Sequence, residues 1–346
     1  MIHPVRDFPT MTNGAQQTDE TVCDRISVIV VVYRTGPALQ EAIQRVLSEP
    51  LVHQFILIDN GSTPEESGWM QAAARDYAHV RLLQGHGNVG FAKGCNMGAR
   101  ASSGDVLVFL NPDAFLQEGC LASLARGVRQ GPQPCLVGAR VLNPDGTEQR
   151  GARRGEVTPV TTLLSLLRLA HRFSWLHRFE IHQEGEPSPC GRLKVPTISG
   201  AGFAMTRADF DSLSGFDEDY FLHVEDIDLC WRVRRAGGAV WFDPGATVVH
   251  LGSTSQTNPL KVELWKGVGL VRYFRKRADN PRRAVLANLL APAILLAALA
   301  RGLLLARKKT RALRAIRASL PPPAAVRASP HPASAAAATG RPLAAD

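Results

Sequence analysis

None of the six cysteines in this 346-residue sequence forms a C-x-x-C pair, and Cys23, Cys95, Cys120, Cys135, Cys190 and Cys230 stand far apart. That spacing excludes a small disulfide scaffold and supplies no zinc cluster. Scattered thiols fit a reducing compartment. No G-x-G-x-x-G opens a helix after a strand-like run, which argues against a dinucleotide-dependent dehydrogenase. Residues 1–24 contain no continuous apolar run, so a loose leader is expected there rather than a secretion signal. No segment before residue 284 is long and apolar enough to span a bilayer. No internal repeat is visible either.

What is present is a 45% hydrophobic composition, enough for a sizeable core, and an uneven charge. Residues 272–346 hold 15 Lys or Arg against 2 acids, a net +13, whereas the first 271 residues hold 25 against 29, a net −4. A basic tail attracts polyanions. No aromatic-basic stacking surface or nucleic-acid motif accompanies it, so an anionic membrane surface is the expected partner and nucleic acid is not. Ala284 to Ala300 is a 17-residue uncharged run interrupted by Pro292 and flanked by Arg282, Arg283, Arg301 and Arg307. It suits a helix lying on or dipping into a membrane. The plainer alternative is a helix packed on the domain. The Pro/Ala-rich stretch from about 319 onward is expected to be disordered.

The first 140 residues alternate between two periods. Arg25 to Tyr33, Phe55 to Ile58, Val80 to Leu83 and Val106 to Leu110 are short apolar, largely β-branched runs suited to strands buried on both faces. Helical patterns separate them near 37–48, 64–77 and 90–102. This is the grammar of an α/β fold with parallel strands, whose ligands sit beyond the carboxyl ends of the strands. Further on, 160–179 reads as an amphipathic helix followed by a looser aromatic segment. Residues 195–250 read as short strands and turns, and 259–278 as a basic helix.

Polar residues collect at those strand ends. Val32-Tyr33-Arg34 closes the first. Asp59, in Asp-Asn-Gly-Ser, could bind a base or ribose, or only make the turn. Asn88-Val89-Gly90-Phe91-Ala92-Lys93-Gly94-Cys95-Asn96 opens a helix whose amides could face a ligand, or whose small residues could simply pack. Asn111-Pro112-Asp113 can offer a carboxylate to Mg²⁺ or Mn²⁺, or form an Asx turn. Glu225, Asp226 and Asp228 crowd three acids into four positions amid aromatics. Repulsion and partial burial there could raise the pKa of one acid, which suits a general base. A solvated acidic turn fits poorly with Phe216, Tyr220, Phe221, Leu222 and Trp231 interleaved. His250 ends another strand-like run, where it can complete a metal site or serve structurally.

Taken in order, V-V-Y-R, I-D-N-G-S, N-x-G-F-A-x-G-x-N, L-N-P-D, S-G-A-G-F-A-M and G-F-D-E-x-Y-F-x-x-x-E-D-x-D-L-x-x-R resemble family-2 glycosyltransferases of the GT-A fold. The similarity is closest to the rhamnosyltransferase-like branch that builds bacterial surface polysaccharides. It covers about residues 25–275, with 25–140 as the donor half and 141–275 as the acceptor half, followed by a basic membrane-associating helical segment over 276–318. The resemblance implies a mostly parallel central sheet and a single inverting sugar transfer. The donor would be a nucleotide-diphosphate sugar, rhamnose as the first choice, and the acceptor a glycan or polyprenyl-linked glycan at the cytoplasmic face of the membrane. It assigns Asp59 to the base. Asp113 takes the last position of a D-x-D metal motif whose first position is Asn111, and His250 the downstream metal-binding histidine. Asp226, beside Glu225, becomes the general base. Gly200 and Ala201 would line the cleft, and Trp231 and Arg232 would lie near the leaving phosphate. The Gln-x-x-Arg-Trp motif of processive synthases is missing, so limited sugar addition is expected. Rival expectations are another donor sugar (galactofuranose, mannose, N-acetylglucosamine) or a non-catalytic membrane-associated scaffold.

Overall fold

A computed structural model describes residues 25–167, 173, 175–176, 180–183, 185–252 and 254–319. The expected leader and the Pro/Ala-rich tail lie outside the described residues, apart from the tail's first position.

The β-branched runs form the strands the sequence implies. β1 (Ile26–Val32) is buried along its whole length and pairs in parallel with β2 (Val52–Asp59) and β4 (Val106–Leu110); β2 pairs in parallel with β3 (Val80–Leu83). Three helices connect these strands: α1 (Ala38–Leu47), α2 (Pro64–Asp76) and α3 (Phe91–Ala101). α2 starts at a capping box, with Thr63 and Glu66 satisfying each other's backbone amides. α3 lies close on the sheet because Gly98 faces Ile29; a Cβ there would come within 2.5 Å of the Ile29 Cγ2.

Beyond β4 the sheet becomes mixed. A short β5 (Ala114–Leu116) and α4 (Cys120–Arg129) lead to β6 (Cys135–Leu142). β7 (Arg153–Arg154) and β9 (Thr197–Ile198) form a separate two-stranded ribbon, with α5 (Pro159–Leu166) and β8 (Leu193–Lys194) between them in the chain. β10 (Gly202–Thr206), α6 (Arg207–Ser212), α7 (Glu225–Arg235) and β11 (Ala239–His250) follow. The order is β3-β2-β1-β4-β10-β6-β11-β5, with β8 on β11. β10 runs antiparallel to both neighbours, so the all-parallel character belongs to the first four strands only. β10 begins in the loop at Gly200 beside the end of β4, so it must run back across the sheet.

α8 (Pro259–Lys276) and α9 (Pro281–Ser319) complete the described chain. One sequence expectation needs correction here. Pro292 does not break the last helix, which runs on through it; the ring sits on the exposed face, while Ala287, Ala291, Ile294 and Ala298 stay buried. Close packing on α8 holds the helix together, since a Cβ at Gly267 would lie 2.8 Å from that of Ala298. The amphipathic helix expected to open the stretch 160–179 is α5, which ends at Leu166 and is supported by its capping box and by packing on α9. Beyond it Leu167, Phe173 and Trp175 are exposed, Trp175 at 67%, while Leu176 is buried. A second, smaller core joins α7, α8 and α9 through Ile227, Leu270, Tyr273, Phe274 and Ile294.

Candidate active site

Two adjoining cavities lie at the carboxyl ends of β1, β2 and β4, as expected for an open α/β sheet. The larger is about 790 Å³, within the range of small-molecule sites, and the smaller about 220 Å³. Asn111, His223 and His250 are among the residues that line both.

Strand register explains the first constellation. β5 pairs antiparallel with the end of β11, setting His250 opposite Ala114 and therefore beside Asp113. Asp113 Oδ1 lies 3.1 Å from His250 Nε2, and Oδ2 accepts from Thr254 at 2.9 Å. Asn111 Nδ2 is 3.2 Å from the same His250 nitrogen. The Gln149 amide nitrogen donates to Asn143 Oδ1 and to the His250 carbonyl, so Gln149 Oε1 accepts from His250 Nδ1 at 2.7 Å. That bond leaves Nε2 facing the Asp113 carboxylate. Burial alone would raise the pKa of Asp113; the His250 and Thr254 contacts outweigh it and hold the carboxyl below its usual range. Among the described residues no three His, Cys, Asp or Glu come together as a metal cluster. The pair nevertheless suits a divalent cation: one ionised oxygen and one ring nitrogen converge, and an outer amide fixes the ring. Remaining positions would fall to water and ligand oxygens.

The second constellation belongs to the start of α7. His223 and Val224 both have left-handed backbones, at φ 68° and 74°, unusual for non-glycine residues and especially for a β-branched one. This turn starts α7 at Glu225 and brings both acids to the smaller cavity. Asp226 Oδ2 accepts from Arg154 Nη2 at 2.6 Å and from the Gly200 amide at 3.1 Å. Among the described residues its Oδ1 accepts only from the Ile227 amide, at 2.8 Å, leaving a lone pair for an incoming hydroxyl. Gly200 allows this approach; a Cβ there would sit 3.3 Å from that of Asp226. Glu225 is buried and its Oε2 has no hydrogen-bond partner. Burial first, then the charge of Asp226, pushes its pKa up to about 8.

A carboxyl whose native pKa is raised holds its proton better folded than unfolded. Its stabilising contribution is therefore complete below the unfolded pKa and lost as pH rises through the native one. Stability is expected to fall from about pH 4.5 to about pH 8 on this account. Glu225→Gln should remove that slope in melting curves taken across the window.

The other residues singled out by sequence fall into two groups. Tyr33, Asn88, Gly90, Phe91 and Pro112 line the larger cavity, and Gly200 and Ala201 the smaller. Asp59 lines neither. Its carboxylate accepts from Gly61, Ser62 and Ser67, and these bonds overcome the effect of burial and lower its pKa. Its neighbour Asn60 reaches the larger cavity instead. Val32 is core; Arg34 stacks over Tyr33; Lys93 is exposed on α3. Asn96 bonds both the amide and the carbonyl of Phe216, fixing the loop before α7. Trp231 meets Tyr273 edge-on in the second core, and Arg232 pairs with Asp228 at 2.7 Å. Both lie away from the two cavities.

Several contributors carried no sequence signal of their own. Gln149 and Arg154 sit in residues 143–156, which read as turn-rich and basic in the sequence, and only the β7–β9 pairing aims Arg154 at Asp226. Phe221 and Trp265 stack at 4.6 Å in the wall of the larger cavity. Arg154 also donates to the Ile198 carbonyl at 2.9 Å, so it fixes Asp226 relative to the ribbon. Arg154→Met is expected to lower kcat by up to ~10²-fold with little change in donor KM, the scale of a small misplacement in an active site. Arg154→Lys should recover only part, because a single ammonium cannot reproduce the guanidinium fork.

Residues 27–213, more than half of the chain, match the model of Glycosyl transferase family 2. The chain belongs to that family. It is a nucleotide-sugar glycosyltransferase of the rhamnosyltransferase-like branch. N-acetylglucosaminyl-diphospho-decaprenol L-rhamnosyltransferase of Mycobacterium tuberculosis is 29% identical over 248 residues, covering 66% of this chain and 76% of that protein. Low-salt glycan biosynthesis hexosyltransferase Agl10 of Haloferax volcanii is 23% identical, covering 63% and 64%. Two solved structures share the GT-A fold at 17% identity. GalNAc-T7 with UDP, GalNAc and Mn²⁺ superposes with a TM-score of 0.55 over 74% of this chain, which spans about half (48%) of that one. The mannosyltransferase PcManGT of Pyrobaculum calidifontis, with GDP-Man and Mn²⁺, gives 0.52 over 85% of this chain and 79% of that one.

Proposed function

We propose that this glycosyltransferase is inverting and divalent-cation dependent, and that it moves rhamnose from a dTDP-linked donor to a hydroxyl of a lipid-linked or polysaccharide glycan. The observation that carries the reading is the Asp226 carboxylate, anchored by Arg154 and Gly200 in a cavity next to the one lined by Asp113. Asp226 Oδ1 takes the acceptor proton as the acceptor oxygen bonds to the anomeric carbon. The bond to the donor phosphate oxygen breaks on the opposite face, and the nucleoside diphosphate leaves with its electron pair. One displacement inverts the centre without a covalent sugar–enzyme intermediate. Asp113 and His250 would hold Mg²⁺ or Mn²⁺, which when bound offsets charge on the departing diphosphate. Tyr33 and Asn60 supply contacts for the nucleoside.

Rhamnose is favoured by the mycobacterial relative, whose name also specifies a lipid-diphosphate acceptor. A hexose is the second reading, favoured by the haloarchaeal relative. We place the chain at the cytoplasmic face of the membrane. The helix from Pro281 to Lys308 is long and apolar enough to cross a bilayer, and only 22% of its most apolar stretch is buried. Leu289, Leu296 and Leu304 stand out from it at 65–71% exposure. Arginines at its ends suit anionic headgroups. The decisive experiment is nucleotide release from a panel of nucleotide sugars with Mn²⁺ or Mg²⁺, with and without a lipid-diphosphate N-acetylglucosamine acceptor. Acceptor-stimulated release from dTDP-rhamnose is expected. Preference for another donor would replace the sugar assignment, and no release from any donor would remove the catalytic reading.

A further inference from the structure

Lys266, midway along α8, lines the smaller cavity together with Arg154, Glu225 and Asp226. It is half-buried, and its ammonium makes no hydrogen bond or ion pair with any described residue. Its helical neighbour Glu263 is engaged by Arg301 at 3.2 Å. The charge of Arg154 is matched by Asp226 at 2.6 Å. Burial favours the neutral form of Glu225. The wall therefore carries one surplus positive charge in a place where an unpaired cation is disfavoured; burial, only partly offset by Glu263, lowers the pKa of Lys266. In the wall of the same cavity, the buried Glu225 Oε2 lacks a hydrogen-bond partner among the described residues, and a neutral carboxyl can donate one hydrogen bond. A cation and a donor left open in one cavity together call for an anionic ligand.

The ligand can be specified further. Asp113 and Asn60 line only the larger cavity, whereas Lys266 shares the smaller one with Asp226 and Gly200. An anion at Lys266 therefore sits on the acceptor side of the base. Leu305 and Lys308 of α9 line the larger cavity, and the outward face of that helix is apolar, which offers a route for a hydrocarbon chain. We propose that Lys266 and the Glu225 carboxyl form a diphosphate subsite that reads the diphosphate of a lipid-linked sugar acceptor. This rests on the proposed acceptor class and adds the residues that select it. Donor diphosphate shares the same chemistry, so the test separates the two sources.

Farnesyl diphosphate, titrated by calorimetry without metal, is the acceptor-side probe; dTDP with Mn²⁺ is the donor-side probe. Lys266→Met is expected to weaken farnesyl diphosphate binding ~10-fold or more, on the scale of one lost charge-assisted hydrogen bond. Lys266→Arg should retain most of it, and dTDP binding should be unchanged in both variants. Their melting temperatures, compared with that of the full wild-type chain, establish that each variant is folded. Equal farnesyl diphosphate binding by wild type and Lys266→Met overturns the subsite, as does failure of the wild type to bind this probe. Weakened dTDP binding with farnesyl diphosphate unaffected moves Lys266 to the donor and overturns the acceptor assignment. Acceptor-independent nucleotide release from the donor panel is a separate measurement, so failure of the functional reading is told apart from failure of the subsite.

Discussion

Replacing Asp226 with Asn is expected to lower turnover by roughly 10²–10⁴-fold, the range of general acid–base catalysis, while donor affinity holds. The substitution nearly preserves shape. A carbonyl oxygen can still accept from Arg154 and Gly200, so the loop at Gly200 and the start of α7 keep their places. What disappears is the anionic oxygen that the Ile227 amide only partly satisfies, and with it the proton acceptor. The proposed donor site is the larger cavity, which Asp226 does not line. Steady-state nucleotide release and calorimetry with an unreactive donor analogue separate the two effects. Near-normal turnover in Asp226→Asn would mean that another group takes the acceptor proton, with Glu225 the nearest candidate.

The second large effect concerns Asp113. Asp113→Ala should abolish the Mn²⁺ dependence of nucleoside diphosphate binding, reducing affinity in Mn²⁺ by at least the ~10–100-fold typical of losing an outer-shell partner of a metal ligand. The site has little in reserve. Asp113 is its one carboxylate, held ionised by His250 and Thr254, and Asn111 supplies only an amide where the full D-x-D motif has a second acid. Affinity measured with and without Mn²⁺ in wild type and variant closes the comparison. Equal metal enhancement in both would show that the cation is held elsewhere. Retention of structure is expected, because Asn111 and Leu251 still anchor the segment through backbone bonds to Ala201 and to residue 113.

The strands and helices from β1 to β4 were legible because their signals are local, whereas β5, α4 and β6 were not read from the sequence. β-branched runs buried on both faces have few alternatives, and Thr63, Pro64 and Glu66 announce α2 before any tertiary contact forms. Asp113 likewise follows an apolar strand, and Asp226 stands in the first turn of α7. Asp59 shows the limit of such reasoning. The same Asp-Asn-Gly-Ser that suggested a ligand contact occupies its carboxylate in a turn, and the neighbouring Asn60 reaches the cavity. Trp231 and Arg232 lie one helical turn and more beyond Asp226, and the rotation of α7 carries Trp231 into a different core and Arg232 onto Asp228 and the Leu213 carbonyl.

Sequence by itself determined the α/β alternation and the residues able to lose or accept a proton, since short-range pattern and side-chain chemistry encode these directly, and the order of its motifs carried the resemblance to the family. Tertiary structure alone decided which of those groups meet. His250 finds Asp113 through the antiparallel register of β5 on β11, and Arg154 finds Asp226 through a two-stranded ribbon that nothing in its own neighbourhood announces. Lys266 is left without a partner by ion pairs formed around it. Pairings between residues roughly 70 to 140 positions apart depend on how the sheet closes, and no local interaction records that.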